Sequence, residues 1–583
     1  MADSASLSPH PETSLRSARW FEGDDEVALQ NRAALRALDL AVTPGRPVVG
    51  ISNTVSDLNP CNSSLAGQIE AVRQGVLAAG ATPVVFPTIS LGEDLMKPSA
   101  MLYRNLLSIE IEEMVRAYPI DALVLTANCD KTIPGALMGA ISSNIPTVMV
   151  LGGARPAVIY RGARLASGTD LWKAFDDRRS GRLSDAEWKQ FESCYACGLG
   201  ACNVMGTATT MAVVAETLGF TISGASTIPA GDPRGISAAH QAGTVAALRA
   251  LDPIRPRELV TSSALVNALK VVAAIGGSTN ALVHLAALAG RAGLLLPIET
   301  IRDALDGIPV TADVQPIGAL LAQDFDAAGG APTVFRALGS RLDGHARTVE
   351  GRTLSEIAAG AAPCGQVIRS ADDVNSASQS LTVVTGTLAP DGAVIKTAAA
   401  SPSLLKHRGL AVVFRNYEHM RSRIDDPDLA VTADSVLVLQ NGGPVGGPGM
   451  PEWGMIPIPA KLAREGITDM VRVSDARMSG TSFGTVFLHV APESAVGGPL
   501  VLVHDGDPIV VDVMSGRIDL VVDESELARR RSEWKPPTSS FVRGWVALYQ
   551  RHVTQAPTGC DLDFLQAFAP GTANFVEPIV GRS

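Results

Sequence analysis

The stretch LVLTANCDKTIPGALMG, residues 123–139, joins a run of strand-forming residues to a glycine- and alanine-rich helix start. At the junction a cysteine, an aspartate and a lysine follow one another as Cys129, Asp130 and Lys131. A strand that leads directly into a helix is the repeating unit of a parallel α/β sheet, and ligands bind at the carboxyl ends of such strands. The stretch therefore predicts an α/β fold with a chemically active site where this strand ends.

Similar strand-like runs recur through the first two thirds of the chain. They are PVVGIS (47–52), TPVVFPT (82–88), IDALVLTAN (120–128) and IPTVMVLGG (145–153). The segments between them have helical spacing, as in Leu65, Ile69, Val72 and Val76. This alternation predicts a parallel sheet with helices on both faces.

From about residue 380 the pattern changes to short strands set close together. These runs are LTVVTGTL, GAVIKT, GLAVVF, SVLVL, DMVRVSD, TVFLHV, PLVLVHDGDPIVVDV and RIDLVVD. Their density predicts a β-barrel or sandwich as a second domain. We place the boundary near 375–390, which gives an α/β domain over 1–380 and a β-barrel-like domain over 381–583.

Composition excludes several classes of protein. A chain of 583 residues is too long for one hydrophobic core, and 46% hydrophobic residues suffice for two or three. The net charge of −11 argues against a nucleic-acid partner. No run approaches the roughly 20 apolar residues of a membrane helix, and the polar start MADSASLSPHPETSLRSARW lacks the apolar core of a secretory signal. We therefore expect a soluble cytoplasmic protein with a disordered N-terminal lead and no membrane partner.

Seven cysteines are too sparse for a disulfide framework, so some of them are candidate ligands. Cys61 and Cys129 stand where strands should end, and Cys202 opens a predicted helix start whose amide dipoles would favour its thiolate. Three such thiolates meeting at one sheet edge would hold an iron–sulfur cluster with one iron left open, or a zinc ion.

The remaining cysteines have simpler interpretations. Cys364 and Cys560 are interpreted as small buried apolar residues. Cys194 and Cys197 form a C-x-x-C in a segment that reads as helix running into loop. Because no second C-x-x-C accompanies it, we do not interpret this pair as a metal site.

Carboxylates form a second group of candidate ligands. Glu93 follows a predicted strand in SLGED, Asp130 and Lys131 follow Cys129, and Glu452 lies in the glycine-rich GGPVGGPGMPEWG. Oxygen ligands gathered from strand ends suit Mg²⁺, which takes few carboxylates and keeps positions for water or substrate.

A third candidate is the turn in SDARMSGTSFG, residues 474–484, which presents Ser479 as a base or nucleophile. No histidine or aspartate stands at a spacing typical of a hydrolase triad, and G-x-S-x-G does not occur. The glycine loops GGPVGGPGM and LGGA fit neither a dinucleotide fingerprint nor a P-loop.

Eight motifs in order along the chain closely resemble the dihydroxy-acid dehydratase and 6-phosphogluconate dehydratase family. They are PCNSSL (60–65), SLGED (90–94), NCDKTIPGALMG (128–139), CNVMGTATTMA (202–212), GGSTNALVHL (276–285), LAPDGAVIK (388–396), GGPGMPE (446–452) and DARMSGTSFGTVFLH (475–489). The segments LRSARWF, SGTDLWKAFDDRRSGRLSDAEW and GITDMVRVSDARMSGT look like its sugar-acid branch, which includes arabinonate and xylonate dehydratases.

The resemblance implies an N-terminal α/β domain, a C-terminal β-barrel domain, and a homodimer or homotetramer with the site at the domain junction. It also implies a [2Fe–2S] cluster and a Mg²⁺ ion. Carried over residue by residue, the cluster would be held by Cys61, Cys129 and Cys202. The residues around Mg²⁺ would be Glu93, Asp130, Glu452 and a carbamylated Lys131. Ser479 would be the catalytic base, with Thr481 beside it contacting the substrate.

The implied reaction dehydrates a 2,3-dihydroxy acid to a 2-oxo-3-deoxy acid. A sugar acid such as L-arabinonate or D-xylonate is the expected substrate. Three positions depart from the sugar-acid branch, because Ser64 and Ala201 stand where it usually has histidines and Asn128 stands where glycine is common. The alternative within the family is 2,3-dihydroxyisovalerate, or an enzyme that accepts both.

Other classes of protein are less consistent with these residues. An iron–sulfur electron carrier usually has four cysteine ligands, whereas this pattern offers three cysteines and a separate carboxylate set. A binding protein stabilised by zinc alone would lack visible absorbance, so a visible absorption band would exclude it. An NAD-dependent dehydrogenase would need the missing dinucleotide fingerprint.

Overall fold

The computed structural model describes residues 15–40, 42–195, 198–374, 379–566 and 576–582. The strands in these ranges are β1 Val48–Asn53, β2 Thr82–Pro87, β3 Ala122–Ala127, β4 Thr147–Leu151, β5 Ile159–Tyr160, β6 Ala163–Arg164, β7 Thr382–Val384, β8 Gly392–Ile395, β9 Lys406–Phe414, β10 Val436–Leu439, β11 Arg472–Ser474, β12 Val486–Ala491, β13 Pro508–Asp512 and β14 Arg517–Leu520.

The α-helices in the same ranges are α1 Ala18–Phe21, α2 Glu26–Arg36, α3 Pro60–Ser63, α4 Ala66–Ala78, α5 Arg104–Ala117, α6 Thr132–Ser143, α7 Thr169–Arg179, α8 Asp185–Cys194, α9 Thr207–Thr217, α10 Pro233–Leu251, α11 Pro256–Leu259, α12 Ser262–Ala274, α13 Asn280–Arg291, α14 Ile298–Leu305, α15 Ala322–Ala327, α16 Gly330–Leu338, α17 Leu354–Gly360, α18 Tyr417–Arg423, α19 Ala460–Arg464, α20 Glu524–Glu533 and α21 Gly544–His552.

The first sheet has four parallel strands in the order β2-β1-β3-β4. Strands β3 and β4 are buried along their whole length, because helices cover both faces and leave no strand position facing water. Helix α6 begins one residue after Lys131 and is buried at every position. Its glycines allow α5 to approach closely, since a Cβ atom on Gly139 would lie 2.8 Å from the Ser108 carbonyl oxygen.

The second sheet has eight strands in the order β14-β13-β9-β10-β11-β12-β8-β7. Its four central strands are parallel, and the outer strands join them antiparallel. The two edges approach each other where Thr385, just after β7, bridges to Arg517 in β14. The sheet is therefore a nearly closed barrel.

Alternating residues of this sheet face two different environments. In β9, Ala411 and Val413 pack inside the barrel, whereas Val412 and Phe414 pack outside it against α18 and α19. On β8 and β12 the outer residues Val394 and Leu488 belong to the same hydrophobic core as the first sheet and its helices. The two halves of the chain therefore share one continuous apolar interface.

A buried ion pair fastens the end of the chain to this interface. Arg291, the last residue of α13, donates from Nε to the Asp561 carboxylate at 2.6 Å, and both side chains are fully buried. The same guanidinium donates to the Ser142 hydroxyl at 2.7 Å at the end of α6. The C-terminal segment is thus tied to two helices of the N-terminal half.

The predicted α/β class with a second barrel-like region is confirmed, and each predicted strand run contains an observed strand. The prediction was wrong for part of one run: the start of PLVLVHDGDPIVVDV forms a 3₁₀ turn over Pro499–Leu502, and only β13 is a strand.

The domain boundary stays a prediction, since residues 375–378 lie outside the described residues. Of the predicted N-terminal lead, residues 1–14 also lie outside them. Among the described helices, none combines the length and apolarity that crossing a membrane requires.

Candidate active site

Two asparagines bring the predicted cysteine positions together at the carboxyl ends of β1 and β3. Asn62, in the short helix α3 after β1, accepts hydrogen bonds from the backbone N–H groups of Asn128 and Cys129 at 3.0 and 3.2 Å. Asn128 in turn donates from its side-chain amide to the carbonyl oxygens of Cys61 at 2.9 Å and Gly153 at 2.8 Å. Three strand ends are thereby held in one arrangement.

The segment that carries Cys202 joins the same edge of the sheet. Ala201 pairs with Ala154 just after β4, and the backbone N–H of Gly200 donates to the Pro60 carbonyl at 3.1 Å. Helix α9 begins only at Thr207, so the expected position of Cys202 at a helix start was wrong. Cys202 instead lies in the segment before the helix, directly after the bridge at Ala201.

Cys61 influences the pKa of both of the other two thiols. The pKa of the Cys129 thiol is raised well above its usual value by its hydrogen bond with Cys61 and by burial. Burial raises the pKa of Cys202 to about 12; charge on Cys61 adds to this rise and Arg155 opposes it. The free Cys129 and Cys202 thiols are therefore neutral, and their thiolates would need a positively charged partner to form.

The acidic residues predicted for Mg²⁺ surround the amine of Lys131. Lys131 has no exposed side-chain surface, and its Nζ contacts the carboxylate of the neighbouring Asp130. The same Nζ lies 3.8 Å from Oε1 of Glu452, which comes from the glycine-rich loop after β10. The first and second sheets therefore meet at this lysine.

Glu93 completes this acidic group from the loop after β2. Its carboxylate accepts hydrogen bonds from the Ser99 hydroxyl at 2.9 Å and the Ala100 backbone N–H at 3.0 Å. Burial raises its pKa to about 7, an effect that Lys131 opposes and that Asp130 and Glu452 reinforce. The Glu93 carboxylate is thus exposed to the charges of the other three groups.

Ser479 and Thr481 lie in a turn after β11, and their hydroxyl oxygens are 2.9 Å apart. The Thr481 hydroxyl also accepts a hydrogen bond from the indole Nε1 of Trp172 at 3.2 Å. Its carbonyl accepts one from the Thr169 hydroxyl at 2.9 Å. Helix α7 of the N-terminal half therefore fixes a turn that belongs to the C-terminal half.

Two residues within the quoted motifs received no role from the sequence. Arg477 is fully buried and donates to Glu452 at 3.0 Å and to Ser99 at 2.9 Å, which links two of the acidic positions. Asn280 donates to Glu452 and to the carbonyl of Met478, both at 3.1 Å. The position of Arg477, two residues before Ser479 in the same motif, was a signal that the sequence offered. Its partners could not be identified from it, because they are distant in the sequence.

A cavity of about 470 Å³ opens beside Glu452. Its walls combine four aromatic side chains with six charged ones. The aromatic ones are Trp172 and Phe175 on α7 together with Tyr417 and Trp453. The rings of Tyr417 and Trp453 are stacked with centroids 4.7 Å apart. Its volume and its mixture of aromatic and charged side chains are typical of a site for a small organic molecule.

The structure brings the sequence-predicted residues into two adjacent groups. Cys61, Cys129 and Cys202 form a thiol group, and Glu93, Asp130, Lys131 and Glu452 form an acidic group around an amine, with Ser479 and Thr481 on the neighbouring turn. Within the described ranges, no three His, Cys, Asp or Glu side chains converge closely enough to hold a metal ion as they stand.

Of the C-x-x-C pair, Cys194 ends α8, and Cys197 lies outside the described residues. Cys560 is buried in an apolar cluster, as expected.

Comparison with known proteins assigns both halves of the chain. Residues 46–357 match the N-terminal model of the dihydroxy-acid/6-phosphogluconate dehydratases, and residues 366–560 match their C-terminal model. The chain is 44% identical over 560 residues to a 6-deoxy-6-sulfo-D-gluconate dehydratase of Pseudomonas putida, covering 95% of this chain and 96% of the relative.

Two further relatives cover most of both chains. An L-arabinonate dehydratase of Rhizobium leguminosarum bv. trifolii is 42% identical over 557 residues, covering 95% of this chain and 96% of the relative. A dihydroxy-acid dehydratase of Moorella thermoacetica is 37% identical over 543 residues, covering 91% and 98% respectively. The resemblance seen in the motifs is thereby confirmed. The chain belongs to the dihydroxy-acid/6-phosphogluconate dehydratase family and is a hydro-lyase.

Proposed function

We propose that this enzyme dehydrates a sugar acid, such as L-arabinonate or D-xylonate, to a 2-oxo-3-deoxy acid. The observation that carries the proposal is the adjacency of Cys129 and Asp130, which places a buried thiol group beside an acidic group at one strand end. Relatives named for the dehydration of 6-deoxy-6-sulfo-D-gluconate and of L-arabinonate support a sugar acid as the substrate.

The donor set fits a [2Fe–2S] cluster and a Mg²⁺ ion. Cys61, Cys129 and Cys202 supply three sulfur donors, of which the first two are buried and the third is partly buried. Iron prefers sulfur donors, and three of them would leave one iron position open. Glu93, Asp130 and Glu452 supply the oxygen donors that Mg²⁺ prefers. The Lys131 amine lies among the carboxylates of Asp130 and Glu452. Carbamylation would convert this amine into a group with oxygen donors for Mg²⁺.

When bound, these two groups would supply Lewis acidity toward the substrate carboxylate and its C2 and C3 hydroxyl groups. The chain's own residues do the remaining work. Ser479 takes the proton from C2, and Thr481 orients its hydroxyl through the 2.9 Å contact. Arg477 and Asn280 hold the Glu452 carboxylate in place.

The reaction balances without an external oxidant or reductant. The C2–H bond breaks with its proton going to a Ser479 alkoxide. The C3–O bond breaks as the leaving hydroxyl group takes that proton from the Ser479 hydroxyl and departs as water, which regenerates the alkoxide. The remaining enol then tautomerises to the 2-oxo acid. The net change is the loss of one water molecule.

A second candidate substrate is 2,3-dihydroxyisovalerate, alone or together with sugar acids. The aromatic and aliphatic part of the wall of the 470 Å³ cavity would suit its branched apolar chain, and the Moorella relative carries the name dihydroxy-acid dehydratase. A sugar acid would instead need polar partners for its additional hydroxyl groups.

The test is formation of 2-oxo acid by full-length protein purified anaerobically and supplied with Mg²⁺. L-Arabinonate, D-xylonate, D-gluconate and 2,3-dihydroxyisovalerate are compared by kcat/KM. A higher value for an aldonate supports the proposal, and a higher value for dihydroxyisovalerate supports the second candidate. Full activity in protein without iron would refute the assigned cluster.

The assembly into a homodimer or homotetramer stays a prediction. Light scattering, which measures the mass of the particle in solution, tests it.

A further inference from the structure

A second cavity, of about 690 Å³, lies at the carboxyl ends of β9 and β10. Val413 lines it from β9, Gln440 lines it from the position directly after β10, and His419 and Arg423 line it from α18. The segment 501–505 and the residues just after α20 complete its wall. It shares no lining residue with the cavity beside Glu452, so it is a separate site in the part of the chain that the structure describes.

The charges that line this cavity are mostly positive. The basic side chains are Arg415, His419, Arg423, His504 and Lys535, and the acidic one is Asp505. Arg423 and Asp505 form an ion pair at 3.0 Å and so neutralise each other. Arg415 and Lys535 are exposed and form no ion pair with the described residues, which leaves two uncompensated cations at neutral pH.

The charges of two arginines act on His419, which lines the cavity together with them. The pKa of His419 is lowered by burial and by the nearby charges of Arg423 and Arg415, with Asp505 opposing. A chain of net charge −11 thus keeps a local concentration of positive charge around this cavity. Such a concentration in a concave site attracts anions.

Hydrogen-bond donors in the cavity are also available to a ligand. The backbone N–H of Arg415 donates to Nδ1 of His419 at 3.1 Å, so that in the neutral ring Nε2 carries the proton. The Arg415 guanidinium offers a planar fork that matches phosphate oxygens. Trp534 adds an aromatic wall beside Lys535.

We propose that this cavity binds a small organic phosphate. Two free cations and a neutral imidazole donor match an anion that carries more than one negative charge. The volume is within the range of small-molecule sites, and the mouth of a barrel is a common place for one. The inference does not depend on which acid the enzyme dehydrates.

The cavity also touches the segment that leads to the acidic group. Asn441 lines it, has a φ of 58°, and donates from its side chain to the Arg415 carbonyl at 2.9 Å. The next residue, Gly442, donates to Asp475 at 2.8 Å, and the chain then runs through the glycine loop to Glu452. A bound phosphate that orders Arg415 therefore also orders the start of this loop.

The test is a calorimetric titration of the full-length, anaerobically purified protein with inorganic pyrophosphate as the probe. The double variant Arg415→Gln/Lys535→Gln should weaken binding about tenfold or more, because each cation contributes a charge-assisted hydrogen bond. Arg408→Gln, an exposed arginine on the same strand β9, is the matched control and should bind as the parent does. Pyrophosphate can also chelate metal bound to the protein, but the heat of that reaction is the same for all these proteins and cancels in the comparison.

Asp505→Asn should increase the affinity for pyrophosphate, a change that a misfolded variant would not show. It removes the negative charge that lines the cavity while keeping an oxygen for the Val413 backbone N–H, which Asp505 accepts at 2.6 Å. Binding should strengthen several-fold, and more so at low ionic strength. Unchanged affinity in both the double variant and Asp505→Asn, or no binding by the parent protein at millimolar pyrophosphate, would overturn the proposal.

Discussion

The amine of Lys131 lies 3.8 Å from Oε1 of Glu452, although one residue follows a strand of the first sheet and the other follows a strand of the second. Each half of the chain alone carries an incomplete acidic group. The group is completed only when the shared apolar interface brings the two sheets together. Activity should therefore depend on docking of the two halves as well as on the folding of each.

Glu452→Gln tests the proposed metal role of the acidic group. Glutamine keeps an oxygen for Arg477 and Asn280, so the fold should persist, but the negative charge is lost. Turnover should fall about a hundredfold or more, with a partial recovery at high Mg²⁺ concentration. Glu465→Gln, an exposed position after α19, is the control and should retain turnover. Parent-like activity of Glu452→Gln at low Mg²⁺ would exclude this role.

Ser479→Ala separates the proposed base from the proposed cluster. Turnover should fall about 10²- to 10⁴-fold, the usual contribution of a positioned general base, while the visible absorbance expected of the proposed iron–sulfur cluster is retained. Thr481→Val, which removes the 2.9 Å contact to the Ser479 hydroxyl, should cause a smaller loss.

Cys129→Ser is the complementary variant and should lose the visible absorbance together with turnover. An absorbing and fully active Ser479→Ala protein would contradict the assignment of the base. Parent-like iron content in Cys129→Ser would contradict the assignment of the thiol group.

Lys396, directly after β8, predicts an unusual dependence of stability on pH. Its side chain is buried with Nζ unpartnered among the described residues, and burial lowers its pKa to about 7. The unfolded chain, with a lysine pKa of about 10.4, binds more protons than the folded one between pH ~7 and ~10.4. The destabilisation caused by burying this amine is thus complete below pH ~7 and fades as the pH rises.

Lys396→Met should therefore raise the melting temperature, and the increase should be larger at pH 6.5 than at pH 9.5. Differential scanning fluorimetry across this range measures it. Lys189→Met, at an exposed position of α8, should give no such trend. A difference that does not vary with pH would show that Lys396 is already uncharged at the lower pH or finds a partner there.

The buried pair of Arg291 and Asp561 predicts a strong and asymmetric effect on stability. Arg291→Met leaves the Asp561 carboxylate buried without its paired cation, which should cost about 3–5 kcal/mol of unfolding free energy. The double variant Arg291→Met/Asp561→Leu removes the uncompensated charge and should be more stable than the single variant. Denaturant melts of the three proteins measure the difference, and equal stability of the single and double variants would contradict it.

Local sequence patterns were sufficient for much of the architecture. Strands such as β3 and β4 are buried on both faces, so their apolar residues appear as uninterrupted runs between turns. The same reasoning failed at Pro499–Leu502, where an apolar run forms a 3₁₀ turn, because hydrophobicity alone does not distinguish a buried turn from a buried strand.

The candidate site was only partly predictable for a different reason. Cys129, Asp130 and Lys131 are adjacent in the sequence, so their proximity needs no tertiary information. Arg477 and Asn280 contact Glu452 only after the two halves of the chain have packed together, and no local pattern records such a contact. Cys202 was misplaced because a glycine- and threonine-rich segment does not fix the residue at which its helix begins.

The bridge between Thr385 and Arg517 has a consequence for the behaviour of this protein at high concentration. Open sheet edges expose unpaired backbone N–H and C=O groups, on which a second chain can add as a further strand. Here the short edge strand β7 turns toward β14, and Thr385 exchanges backbone hydrogen bonds with Gly516 and Ile518 at 2.9 and 3.1 Å. The barrel region therefore protects its own edges against cross-chain strand addition, so self-association of the native protein should proceed through side-chain surfaces.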